Sequence, residues 1–231
     1  ASRQVKASER DLCAGAGITP LEFQVATDAL TIIVNPEADW VDCLGFEELQ
    51  AIWGPDDPAE RWSDVRDDWP DREMNLYGPT AASGTFDFFT ETVMGEGGVS
   101  RADYQKTEQD NAIVTAVSRD RFAMGYLGFA YYVESRSRLK GAPVRSRESG
   151  NCVEPTFASA KSGAYPLSRP LFIYVAKEAL AEPAVREFVS FYVDKSETDV
   201  IRRVGYVPVT AETAQANREK LQAAIAEVTG S

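Results

Sequence analysis

No histidine occurs anywhere in the 231 residues. That single absence removes Ser-His-Asp and Cys-His nucleophile activation, histidine-ligated zinc and imidazole proton shuttles together. Cysteine is scarce as well. Cys13, Cys43 and Cys152 show no C-x-x-C spacing, which argues against a zinc site. An odd count leaves one thiol free or paired with something outside the chain. A Cys13–Cys43 disulfide fits an exported protein, and three buried small hydrophobes fit equally well. No apolar run approaches the length of a membrane span. The opening Ala1-Ser2-Arg3-Gln4-Val5-Lys6 has none of the features of a signal peptide. Basic residues are outnumbered, 24 Lys and Arg against 36 Asp and Glu, for a net charge of −12. This balance argues against nucleic acid as a partner, because phosphate backbones need a basic footprint. An anionic ligand would have to be held by locally aimed donors against the bulk field.

What is present is the composition of a folded domain, 44% hydrophobic and 10% aromatic. Strand-like and helix-like segments alternate, giving an α/β class. Ser8 and Asp11 suggest a short helix capped near Glu9. Phe23 to Val34 reads as one long strand or two in line, stopped by Asn35-Pro36. Phe46 to Trp53 carries Leu49, Ile52 and Trp53 on one helical side. The charged loop 59–72 holds Trp62 and Trp69, whose large apolar rings suit anchoring a loop to a core. Asn111 to Val117 continues a helical stripe. Arg121 to Val133 reads as a buried strand followed by a short helix. Pro143 to Arg145 suggests a strand, and 145–164 is polar and loop-rich. Pro170 to Val175 reads as a buried strand. A helix opened by Glu182-Pro183 should bury Val185, Phe188, Val189 and Tyr192. Thr210 should cap a final helix with Leu221, Ile225 and Val228 inside.

The most informative stretch is Gly78-Pro79-Thr80-Ala81-Ala82-Ser83-Gly84-Thr85, between a short strand at Met74 to Tyr77 and a run beginning Phe86-Asp87-Phe88-Phe89. Phe86, Phe89 and Val93 fall on one helical face. Strand, small-residue loop and helix start together aim N–H groups, hydroxyls and a helix dipole at one place, a geometry suited to a small oxyanion. Ser83 as an ordinary helix cap is the alternative.

Several stretches, in order, resemble the periplasmic phosphate-binding proteins of ABC transporters. They are Ala1-Ser2-Arg3, Val25 to Pro36 with Trp40, Gly78 to Asp87, Asp110-Asn111, Met124-Gly125-Tyr126, Tyr165 to Leu171, and Gly205-Tyr206-Val207-Pro208. The resemblance implies the two-lobed type II periplasmic binding protein fold. It puts residues 1–30 and 170–231 in a first lobe and 31–169 in a second, with one phosphate held between them. Ser83, Gly84 and Thr85 would supply ligand contacts from the second lobe, and Arg3 a charged contact from the first. An arginine suits that task because its planar fork offers paired donors and stays charged. The implied partners are phosphate or a similar oxyanion and the permease subunits of a transporter. The complete protein would be a monomer, periplasmic or extracellular, with lipid anchoring of the precursor left open. No cofactor, metal or enzymatic activity is implied.

Two departures qualify this picture. Relatives begin with a further strand-loop-helix carrying phosphate-binding hydroxyls, so the first lobe is expected to be incomplete at its N-terminus. Relatives with Ala-Ser-Arg also usually read Gly-Pro-Gly-Thr-Asp-Ser-Gly-Thr at the loop, and the aspartate position here is Ala82. A carboxylate accepts the proton of hydrogen phosphate and repels proton-free sulfate, so Ala82 implies weaker phosphate binding and poor rejection of sulfate. A scaffold that has lost selective binding is therefore the alternative, ahead of a hydrolase using Ser83 as nucleophile.

Overall fold

The structure, a computed structural model, describes residues 1–230. The chain divides into two compact units. Unit 1 is Ala1–Asp28 with Arg169–Ser231, and unit 2 is Ala29–Ser168. Within unit 1 the elements are α1 (Ala7–Gly15), the first half of β1 (Pro20–Val34), β8 (Ser168–Ala176), α8 (Pro183–Lys195), α9 (Asp199–Arg203) and α10 (Ala211–Thr229). Unit 2 carries the rest of β1, then α2 (Phe46–Trp53), α3 (Trp62–Val65), β2 (Asn75–Gly78), α4 (Gly84–Val93), β3 (Gln105–Lys106) and α5 (Asp110–Arg119). It continues with β4 (Ala123–Gly128), α6 (Phe129–Ser135), β5 (Lys140–Gly141), β6 (Val144–Arg145), β7 (Cys152–Val153) and α7 (Phe157–Ser162). The alternation of strand and helix is the expected α/β class.

The sheet of unit 2 has the order β3-β2-β4-β1-β5. β2 lies parallel to both β3 and β4, with Tyr77 opposite Gln105 and Gly125, whereas β1 meets β4 antiparallel from Leu30↔Gly128 to Val34↔Met124. Parallel neighbours need a crossover, and α4 and α5 supply it. The central strands β1 and β4 are covered on both faces. Met124, Tyr126, Leu127, Ile32 and Ile33 are all fully buried, which explains why these strands read as continuous apolar runs.

Aromatic side chains build the core of unit 2. Trp53, on α2, meets Phe89, Tyr104 and Tyr126 edge-on at 5.7, 5.4 and 5.0 Å. Such edge-to-face contacts add to area burial. Trp62 and Trp69 are buried and pack on each other at 5.6 Å, so both serve as the loop anchors expected of them. Unit 1 has a smaller core of Phe23, Val25, Leu180, Val189, Val193, Leu221 and Ala224.

Four expectations need correction. The disulfide joins Cys43 to Cys152 with Cα atoms 5.9 Å apart, and Cys13 is a free thiol on α1. Spacing along the chain carried no sign of this pairing, because the β6–β7 hairpin brings Cys152 back beside the approach to α2. α8 buries Val189 and Val193, whereas Phe188 and Tyr192 are 63% and 38% exposed. The true seam is the i, i+4 valine pair. β8 is mostly half-buried, with Phe172 alone fully covered. Finally, α1 starts at Ala7. Ser8 does not cap it; the Glu9 carboxylate accepts the Lys6 N–H at 2.7 Å. The acid at the third helical position reaches back to the N-cap N–H, the half of a capping box that a serine cap does not supply.

Candidate functional site

Three contacts from residues on or beside β3 set the position of the Gly78–Thr85 loop. The Tyr104 hydroxyl donates to the Pro79 carbonyl at 2.7 Å. The Thr107 N–H donates to the Gly78 carbonyl at 3.0 Å. The Thr80 hydroxyl donates to the Glu108 carboxylate. Gly78 itself must be small. A Cβ there would meet the Tyr126 ring at 3.0 Å and the Tyr104 ring at 3.2 Å, so a side chain would lift the loop away from the core.

The chain turns sharply next. The Ser83 N–H donates to the Thr80 carbonyl at 3.1 Å, and the Ala82 N–H donates to the Thr80 hydroxyl at 3.2 Å. Ser83 has extended backbone and caps α4, its Oγ accepting the Thr85 N–H at 3.2 Å. Phe86, Phe89 and Val93 then seat the helix on the core, with Phe89 stacked on Tyr126 at 4.1 Å. The result is a three-turn helix whose start is held rigidly from below. Ser83 and Thr85 are half-buried and Gly84 is exposed, so the donors at this helix start are within reach of a small ligand. The arrangement can hold an oxyanion on amides, hydroxyls and a helix dipole. The sequence holds no histidine to activate Ser83 as a nucleophile, and among the described residues no cluster could hold a metal ion.

Acidic groups border this loop. Asp87 lies in the first turn of α4. Glu108 reaches the loop through Thr80. Asp110 opens α5, and burial, with the neighbouring Glu108 charge adding to it, raises its carboxyl above the usual aspartate range. Lys106 lies over the Tyr104 ring at 5.0 Å.

Arg3, in unit 1, is engaged in a different way. Its two terminal nitrogens donate to both oxygens of Glu9 at 2.9 and 2.8 Å, and one also donates to the Gln4 carbonyl at 2.9 Å. Arg3 holds the Glu9 carboxyl well below its usual range, at about 2. The Tyr174 hydroxyl accepts the Val5 N–H and donates to Glu22, fixing the same segment against β8. Ser83, Gly84 and Thr85 are therefore brought together in one loop of unit 2. Arg3 belongs to the segment leading into α1. A separate hollow of about 380 Å³, bounded by Phe46, Arg147 and Tyr165, contains none of these four residues.

Residues 1–196 match the PBP superfamily domain. The chain belongs to the PBP superfamily. It is 41% identical to Protein SphX of Synechocystis over 215 residues, which is 92% of this chain and 63% of that protein. It is 34% identical to the phosphate-binding protein PstS of Staphylococcus aureus over 226 residues, covering 97% of this chain and 67% of PstS. The chain thus spans about two thirds of the length of these relatives. In structure it resembles a possible phosphate-binding protein from Planctomyces limnophilus, with a TM-score of 0.89 and 40% identity, covering 97% of this chain and 80% of that one. No helix among the described residues is long and apolar enough to cross a membrane.

The contacts that sequence reasoning missed are Tyr104 to Pro79 and Thr80 to Glu108. Both join residues more than twenty positions apart. The visible signal was Thr80 itself, where the resembling proteins usually carry glycine.

Proposed function

We propose that this chain is an extracytoplasmic solute-binding protein that holds phosphate or a closely similar oxyanion for import by an ABC transporter. The observation that carries the reading is the start of α4, where the Ser83 hydroxyl, the Gly84 amide and Thr85 stand at the positive end of a helix dipole on a loop held from below. Membership of the PBP superfamily and relatives named as phosphate-binding proteins support it. Ser83, Gly84 and Thr85 are proposed as ligand contacts, and Arg3 as a charged contact. Phosphate and the transporter's permease subunits are the proposed partners. A periplasmic or extracellular location, a monomeric state, no role for nucleic acid and no enzymatic turnover belong to the same proposal.

Calorimetric titration of the 231-residue chain with inorganic phosphate tests it. One saturable site, with a melting temperature that rises with phosphate, is expected, because a ligand that binds only the folded state must stabilise it. Absence of both responses would favour a scaffold that has lost binding. Hydrolysis of a chromogenic phosphate or acyl ester, abolished by Ser83→Ala, would favour an enzyme.

A further inference from the structure

The hollow beside Phe46 has a wall that is fastened from several sides. β6 and β7 pair antiparallel, Val144 with Val153 and Arg145 with Cys152, and Ser146 to Asn151 form the turn between them. The Ser146 N–H donates to the Asn151 carbonyl and the Gly150 N–H to the Ser146 carbonyl, both at 2.9 Å. The Ser146 hydroxyl accepts the Glu148 and Ser149 N–H groups at 3.3 and 3.2 Å. The Cys43–Cys152 disulfide ties the hairpin to the approach to α2. From this turn Arg147 reaches the buried Phe46, its guanidinium carbon 3.6 Å from the ring centre. The ring contact holds the group in place. Among the described residues, no carboxylate or carbonyl takes up the N–H donors of Arg147. A guanidinium with a fixed position and unspent donors has given up much of the freedom that binding an anion would otherwise cost.

Arg147 borders two hollows. One, of about 390 Å³, also holds Glu47 and Glu48, whose charges oppose an anion. The other, of about 380 Å³, has Glu148 as its one acid, and Val153, Tyr165 and Pro166 give it an apolar side. Its volume lies in the range of small-molecule sites, about 300 to 1,000 Å³. We propose that this second hollow binds a small organic monocarboxylate. The carboxylate takes the Arg147 fork, which matches its two oxygens. The carbon body of the ligand lies against Val153, Tyr165 and Pro166. Glu148 beside the fork penalises a second negative charge, and an apolar side offers a bare inorganic anion nothing. The site therefore differs in ligand class from the start of α4, and its assignment does not rest on the oxyanion reading above.

Benzoate is the probe and benzamide its neutral counterpart, each titrated into the 231-residue chain and followed by amide NMR. Benzoate should bind saturably and shift the Ser146, Arg147 and Val153 amides. Benzamide should bind about tenfold to hundredfold more weakly, the size of one charge-assisted hydrogen bond. Arg147→Gln should weaken benzoate by the same factor and leave benzamide unchanged. Saturating inorganic phosphate should leave benzoate bound. Absence of saturable benzoate binding overturns the proposal. So does equal affinity for the two probes in the wild type, a comparison that needs no variant to fold. Benzoate affinity unchanged in Arg147→Gln, or benzoate displaced by phosphate, overturns it as well. The reading of the α4 start is decided separately, by the phosphate titration without benzoate.

Discussion

Two helix starts in this molecule are built from the same materials and end in opposite states. At α1 the Glu9 carboxylate accepts the Lys6 N–H and both prongs of Arg3, so the positive end of that helix already carries its anion. At α4 the cap is a neutral hydroxyl, Ser83 Oγ on the Thr85 N–H, and the acids stand to the side. A helix start satisfied by its own carboxylate has little left for a ligand, whereas one capped by a hydroxyl can exchange that weak bond for a charged one. This difference is why the α4 start is assigned the ligand. Arg3 can serve an external anion only by sharing or exchanging its bond with Glu9.

The largest expected effect concerns the scaffold under the α4 start. The Cys43–Cys152 disulfide closes a loop of sequence separation 109 within unit 2. Replacing both cysteines by serine should cost about 4 to 5 kcal/mol in denaturant unfolding, by the loop-entropy model. Cys13→Ser, on α1, should change stability by no more than about 0.5 kcal/mol. Equal costs would mean that the two thiol environments had been misread.

Next comes Ser83→Ala. Losing a hydrogen bond to a charged ligand should weaken phosphate binding by about 1.5 to 3 kcal/mol in calorimetry. The unliganded protein should lose about 1 kcal/mol as the cap disappears. A loss of stability with affinity intact would reduce Ser83 to a cap and make the two helix starts equivalent.

Arg3→Lys sharpens the α1 side. It keeps the charge but removes the fork. Phosphate affinity should fall by less than in Ser83→Ala, because Arg3 is already held by Glu9. A larger fall would make Arg3 the dominant contact.

The smallest effect is on acid titration. The Glu9 carboxyl lies at about 2, down from an ordinary 4.5, chiefly through its Arg3 hydrogen bond. A depressed carboxyl stabilises the folded state above its unfolded value. That stabilisation is lost as pH falls from about 4.5 toward 2. Carbon-detected NMR titration of Glu9 should show the low midpoint in the wild type and a return toward the ordinary value in Arg3→Ala.

Local signals in the sequence were read well. α2 spans the expected Phe46 to Trp53, Ser83 caps α4, and Thr210 caps α10 by accepting the Thr213 N–H at 3.1 Å. These features depend on a few adjacent residues, so period and capping chemistry reveal them. Non-local features escaped. An apolar stripe on α8 does not say which of its residues is covered, and Phe188 proved exposed where Val193 is buried. Cys43 and Cys152 meet only because the β6–β7 hairpin returns the chain. Glu108 sits on the loop only because β3 runs beside β2. Half of the candidate site, the loop itself, was legible. Its acidic neighbour was hidden in sheet topology.

The central claim is that the start of α4 receives the anion, and amide NMR during a phosphate titration tests it most directly. Saturable shifts of the Gly84 and Thr85 amides, with the α1 amides Ser8 to Asp11 far less affected, are the predicted result. Saturable phosphate binding that leaves Gly84 and Thr85 unmoved would contradict it.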